Sequence, residues 1–181
     1  MMAGRVFAVV GPSGAGKDSL MAAVLAAQPE LHLVRRVITR RADAGGEDFE
    51  PATAKEFDRR QAQGEFVLYW QAHGLKYGIP ASELTAAQRG RDVMFNASRA
   101  VLEEAAQKIP DLTVLHVTAD AAVLAKRLAG RGRETPEDIE QRLARAAMPL
   151  KTTLPLVEID NSGPLENAVA AVLALLSPVK A

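Results

Sequence analysis

An α/β fold, built on a parallel five-stranded sheet flanked by helices, is predicted from three observations. Short runs rich in Val, Ile and Leu alternate with helix-spaced apolar patterns along nearly all of the 181 residues. The first run, Val-Phe-Ala-Val-Val at 6–10, enters directly a glycine-rich loop that leads into a helix. A long excursion, 40–90, separates the second run from the third and carries helix and strand signals of its own.

Taken in order, the run at 6–10 is apolar at every position, as suits a strand buried on both faces. The loop after it reads Gly11, Pro12, Ser13, Gly14, Ala15, Gly16, Lys17. Its glycines let the backbone fold around an anion with N–H groups pointing inward. Lys17 neutralises β/γ oxygens, and a helix over 16–27 aims its positive end at the same place. The segment is therefore a nucleoside-triphosphate site, and the fold a P-loop NTPase fold. The residue after such a lysine is normally Ser or Thr, whose hydroxyl ligates Mg²⁺; here it is Asp18. Ser19 is turned by about 100° around the helix and is a poor substitute. A carboxylate is a good hard-cation ligand, so Asp18 is the candidate metal residue. The competing reading is a first-turn acid interacting with the helix dipole.

The remaining sheet strands are expected at 34–38, 93–95, 112–117 and 156–159, with helices at 100–108, 121–129 and 165–176. Within the excursion, Thr53-x-x-Glu56 is a capping box opening a helix to about residue 63, and 65–71 has strand composition. An insert at the carboxyl ends of the strands is well placed to carry a second substrate. A second excursion starts at Arg131-Gly132-Arg133-Glu134. Thr135 is an N-cap, Pro136 fits the first helical position, Glu137 and Asp138 suit the first turn, and the helix runs to about 147. Arg142 and Arg145 share a face of it at i, i+3 spacing. Arginines on a short helix near a phosphate loop predict a lid over transferring phosphate; a solvated face paired with Glu137 and Glu140 is the plainer alternative. The expected organisation is a single domain with core 1–39, 91–130 and 150–181, an insert at 40–90 and a lid at 131–149.

Composition excludes several classes. With 48% hydrophobic residues the chain can bury a proper core, and its formal net charge of zero disfavours nucleic acid as a partner. There is no cysteine, which removes disulfides, thiolate metal sites and thiol nucleophiles together. The early apolar run is too short for a signal peptide and 168–176 too short for a membrane span, so a soluble cytoplasmic protein without a membrane partner is expected. His32, His73 and His116 lack ligand-like spacing, which argues against zinc. Tyr69 and Trp70 fit packing within the insert. Monomer and homodimer both stay open.

Together these motifs resemble the guanylate kinase-like branch of the P-loop kinases over nearly the whole chain. The resemblance is carried by residues 11–17, Ile38-Thr39-Arg40, Tyr77-Gly78, Arg131-Gly132 with Glu134, Glu137, Ile139, Arg142 and Leu143, and Asp160-Asn161, in the expected order. Guanylate kinases hold ATP in the loop and an acceptor phosphate in the insert. The departures are informative. A second acceptor-phosphate arginine of that branch is Asp43 here, its guanine-reading glutamate is Leu68, and the tyrosine before Tyr-Gly is Lys76. An acidic strand end becomes Asn96-Ala97-Ser98, followed by Arg99. Losing a base-reading carboxylate and gaining cations suits a ligand with more phosphate and no base.

That combination is similar to the ribose 1,5-bisphosphate phosphokinase family. The similarity rests on Asp18 after Lys17, Gly45-Gly46-Glu47-Asp48, Ala72-His73-Gly74-Leu75, Gly78-Ile79-Pro80, Asn96-x-Ser98-Arg99, Arg131-Gly132-Arg133-Glu134 and Ile159-Asp160-Asn161-Ser162-Gly163. It implies transfer from ATP, with Mg²⁺, to ribose 1,5-bisphosphate, giving 5-phospho-α-D-ribose 1-diphosphate. By the same resemblance, Lys17, Arg131 and Arg142 are catalytic and residues 11–18 bind ATP. Arg40, Lys76, Tyr77 and Arg99 take the acceptor's phosphates, while Glu47, His73 and Asn96 bond its ribose hydroxyls. A nucleoside monophosphate kinase and an inactive guanylate kinase-like interaction module are the alternatives.

Overall fold

The structure, a computed structural model, describes residues 3–177. In chain order the elements are β1 (Val6–Val10), α1 (Lys17–Ala27), β2 (His32–Leu33), β3 (Val37–Ile38), β4 (Glu50–Pro51), α2 (Ala54–Ala62), β5 (Phe66–Ala72) and β6 (Leu75–Pro80). They continue with α3 (Thr85–Gln88), β7 (Val93–Asn96), α4 (Leu102–Lys108), β8 (Leu112–Thr118), α5 (Ala121–Gly130), α6 (Pro136–Ala147), β9 (Leu156–Asp160) and α7 (Leu165–Leu176).

Five strands form a parallel sheet in the order β2-β7-β1-β8-β9, as the sequence predicts. Central β1 is buried at all five positions. Val6, Ala8 and Val10 join Leu102 and Ala105 of α4 on one face, with Leu68 and Ile79 from the insert. Phe7 and Val9 join Leu20 and Val24 of α1, Leu124 of α5 and Val172 of α7 on the other. The chain leaves β1 toward β2 and later returns to β8 on the opposite side. The loop after β1 thus stands where the direction of winding reverses, the usual location of a ligand crevice.

Gly11 is required by this packing, since a Cβ there would lie 2.2 Å from the Val117 carbonyl oxygen. Gly16 combines φ +84° with a Cβ position 2.7 Å from Asn161 Nδ2, so a side chain would be both strained and obstructed.

The expected strand over 34–38 is corrected by the structure. His32–Leu33 pairs with β7, the ladder ends at the bond from Val34 N to the Met94 carbonyl (2.9 Å), and Val37–Ile38 enters a different sheet. Arg35 and Arg36 make the crossing, and an apolar pattern on both sides of them does not say which sheet each half joins. The second sheet has the order β4-β3-β6-β5, so it begins at Val37, ahead of the insert boundary expected at residue 40. Its strand β6 was not anticipated, because Gly78 and Pro80 depress strand propensity. The turn from β5 to β6 has His73 at φ 52° and Gly74 at φ 75°, the left-handed pair that a type I′ hairpin turn needs. The helix expected at 100–108 starts with a 3-10 turn, Arg99–Val101, before α4.

Helix α6, the expected lid, opens with a capping box. Thr135 Oγ1 accepts from Asp138 N (3.1 Å), and an Asp138 carboxylate oxygen accepts from Thr135 N (3.0 Å). The bonds the carboxylate accepts from Thr135 N and Thr135 Oγ1 hold it below its ordinary range. Among the described residues, no helix is long and apolar enough to cross a membrane.

Candidate active site

The loop of residues 11–17 is braced from behind by two side chains. Asn161, at the end of β9 and only 3% exposed, donates from Nδ2 to the Ala15 carbonyl at 2.7 Å. Arg127 of α5 donates from Nη1 to the Gly14 carbonyl (3.1 Å) and from Nη2 to the Asn161 carbonyl (2.7 Å). Sequence reasoning missed Arg127, since a helical arginine gives no sign that it reaches across the fold to a loop. Removing the brace leaves the Ala15 carbonyl with only a long 3.5 Å bond from Arg127 Nη1, so Asn161→Ala is expected to lower stability by about 2 kcal/mol. Urea unfolding measures this.

Lys17 Nζ donates to the carbonyls of Gly11 (2.7 Å) and Pro12 (3.2 Å). Its pKa is lowered to about 8, first by burial and then by the charges of Arg36, Arg131 and Arg99, with Asp18 opposing. A lysine surrounded by other cations is a site prepared for a polyanion, which would restore the ordinary pKa on binding. As pH rises through about 8 the free protein loses the ammonium. We therefore expect kcat/KM for ATP to fall by about tenfold per pH unit above that point. In the kcat profile the same limb lies at higher pH, because bound polyphosphate favours the charged lysine.

Arg142 of α6 spans the opening, donating from Nη1 to Ser13 Oγ (2.7 Å), while Nη2 lies 3.6 Å from Glu134 Oε1. Arg131 caps the C-terminal end of α5 and is exposed. Arg99, in the turn after β7, donates to the Met148 carbonyl (3.3 Å) and so ties the end of β7 to the end of α6. His73, at the hairpin tip, lines the same cleft as Pro12 and Ser13. Ser13, His73, Arg99, Arg142 and Arg145 line one cleft of about 420 Å³. Arg145, expected with Arg142 on the phosphate-facing side of the helix, thus lines the same cleft.

A second cleft, about 640 Å³, opens between α1 and residues 46–48, with Asp18, Glu47 and Asn96 at its polar rim and Met21, Leu25 and Leu33 in its wall. Asn96 Nδ2 donates to Asp18 Oδ1 (3.2 Å), bringing the candidate metal residue and a candidate sugar contact together. Among the described residues no group of three or more His, Cys, Asp or Glu side chains could hold a metal by themselves. Asp18, a single carboxylate oriented by Asn96, would suit a hard cation carried in on ATP phosphates better than one held by the protein alone.

The acceptor candidates divide. Arg40 lies with its guanidinium carbon 4.2 Å from the Phe49 ring centroid, and its Nε and Nη2 are buried without a partner. Tyr77 stacks on Trp70 at 5.5 Å. Lys76, next along β6, projects from the opposite face of the strand and pairs with Asp58 of α2. The structure thus does not bring Lys76 together with Tyr77. Glu47, expected at ribose hydroxyls, is committed instead to Arg36, a residue the sequence did not single out. Leu68 is fully buried in the core at 0% exposure, so the insert offers no polar group there.

The family model described as guanylate kinase matches residues 3–176. A ribose 1,5-bisphosphate phosphokinase PhnN of Ruegeria sp. (strain TM1040) is 48% identical, with 98% of this chain and 94% of that protein covered. Its namesake from Rhizobium etli (strain CIAT 652) is 46% identical over 96% and 89%. The chain belongs to the guanylate kinase family, in its PhnN branch. A PhnN-like unit also occurs inside a longer protein. A bifunctional ribose 1,5-bisphosphokinase-thymidine phosphorylase of Cupriavidus necator is 45% identical over 92% of this chain but only 28% of its own length. Outside the PhnN branch, the crystal structure of guanylate kinase from Anaplasma phagocytophilum superposes with a TM-score of 0.73. It is 15% identical, with 97% of this chain and 85% of that one covered, a likeness of fold alone.

Proposed function

We propose that the protein transfers the γ-phosphoryl group of ATP to the 1-phosphate of ribose 1,5-bisphosphate, giving ADP and 5-phospho-α-D-ribose 1-diphosphate. The observation that carries this reading is the surface of the insert, where Arg40 lines an open cleft with Thr39 and Arg41, its Nε and Nη2 without a partner among the described residues, while Leu68 is sealed in the core. Such a surface suits phosphate and has nothing at Leu68 with which to bond a base edge. The full-length similarity to PhnN relatives supports the same assignment.

The nucleophile is a 1-phosphate oxygen, already anionic at neutral pH, so no protein base is needed. It bonds to the γ-phosphorus as the bond to the β,γ-bridging oxygen breaks, and ADP leaves with that electron pair. Catalysis reduces to alignment and charge neutralisation. Lys17 and the N–H groups of residues 11–17 hold the β and γ phosphates. Arg131 and Arg142 cover the group in transit. With Lys76 and Glu47 engaged elsewhere, Arg40, Tyr77 and Arg99 serve the acceptor phosphates, and Asn96 and His73 the sugar hydroxyls.

Asp18 would hold the ATP-borne Mg²⁺, which when bound neutralises phosphate charge. Asp18→Ser is expected to raise the Mg²⁺ concentration for half-maximal activity by about tenfold. An unchanged titration would leave Asp18 as a first-turn acid only. The reaction is tested by ³¹P NMR of the product mixture. A new pair of coupled diphosphate signals beside an unmodified 5-phosphate supports the reading, and its absence with active ATP turnover removes it.

A further inference from the structure

Arg36 takes no part in the transfer described above, yet it is 6% exposed and sits where the chain crosses between the two sheets. Its Nε donates to Glu47 Oε2 at 2.9 Å, its Nη2 bonds Glu47 Oε1, and Nη1 reaches the Asn96 carbonyl at 3.4 Å. Its guanidinium carbon lies 5.0 Å from the Tyr77 ring centroid and 5.8 Å from that of Trp70, whose rings stack within 6° of parallel. These rings belong to paired positions of β5 and β6, on the same sheet face as the next pair inward, Leu68 and Ile79.

Burying an arginine and a glutamate is costly compared with apolar residues of similar volume, so structural support alone is a weak reason for this pair. Its position suggests a better one. Glu47 and Asn96, the partners of Arg36, line the cleft of about 640 Å³. A parallel aromatic pair beside it is a natural platform for a planar heterocycle, and a planar guanidinium is the side chain best able to cover it. The charge is also felt across the cleft, since Arg36 is among the cations that depress Lys17.

We propose that Arg36 determines specificity: clamped by Glu47 and bedded on the Trp70–Tyr77 stack, its guanidinium occupies the platform a nucleotide's base would need and restricts the cleft to phosphosugars. This rests on the acceptor assignment made above, and deepens it by naming what excludes the competing class. The sequence points to a lost base reader at Leu68 and to added cations; the structure adds an obstacle.

The test uses paired substitutions, because removing one partner strands the other's charge. Arg36→Ala with Glu47→Ala empties the platform, while Arg36→Met with Glu47→Gln fills it without charge. GMP affinity is measured by calorimetry, and kcat and KM for ribose 1,5-bisphosphate and for GMP by coupled ADP release. Tm and ATP affinity serve as controls for folding. The emptied variant is expected to bind GMP at least about tenfold more tightly than the wild type, whereas the filled variant continues to reject it. The ratio of kcat/KM for the phosphosugar over GMP should fall in the emptied variant by a similar factor. If GMP affinity stays at the wild-type level in the emptied variant, or rises equally in both, the proposal is overturned. Should the wild type fail on ribose 1,5-bisphosphate, the acceptor assignment falls, and the GMP affinities still decide whether Arg36 is an obstacle.

Discussion

Lys17→Ala is expected to leave a folded protein with kcat/KM reduced by about 10³-fold, the scale of losing a positioned cationic donor to transferring phosphate. Retention of the fold follows from how the loop is held. Arg127 and Asn161 brace it through the Gly14 and Ala15 carbonyls, independently of the lysine. Lys17 itself bonds only the carbonyls of Gly11 and Pro12, and its burial among other cations already disfavours the charged form. Thermal unfolding should therefore move by no more than a few degrees while transfer collapses. Retention of a tenth or more of wild-type activity would mean that Lys17 does not hold the transferring phosphate.

Arg142→Ala should cost about 10³-fold in kcat with ATP affinity little changed, because a lid arginine acts on charge that develops as the phosphoryl group moves. The helix that carries it is positioned locally by the Thr135–Asp138 capping box, and the side chain spans to Ser13 Oγ at 2.7 Å, so its head group stands at the mouth of the loop. Arg142→Lys should restore little, since a point charge cannot reproduce a planar, forked donor. Single-turnover kinetics separate this from a binding defect. A variant that loses ATP affinity in proportion to rate would place Arg142 in ground-state binding.

Much of this was legible in the chain because local chemistry decided it. An all-apolar strand running into Gly-Pro-Ser-Gly-Ala-Gly-Lys specifies strand, turn and helix within one short segment. Thr135 followed by Pro136 sets the start of α6, and the helix expected at 165–176 is α7. What could not be read depends on the meeting of distant segments. The apolar stretch around Arg35 and Arg36 is divided between two sheets by partners far along the chain, Met94 on one side and Glu50 and Tyr77 on the other. Glu47 and Lys76 have the right charge for an acceptor site, but their fates are decided by Arg36 and Asp58. Arg127 is the opposite case, an unremarked helical residue that turns out to support the phosphate loop.

The central claim is that the acceptor is a sugar phosphorylated at both ends and not a nucleotide. Its most direct test compares ribose 1,5-bisphosphate with GMP as acceptors for the wild-type protein at saturating ATP and Mg²⁺. The account predicts that kcat/KM for the bisphosphate exceeds that for GMP by about 10³-fold or more. Comparable turnover of the two, or a preference for GMP, would contradict it.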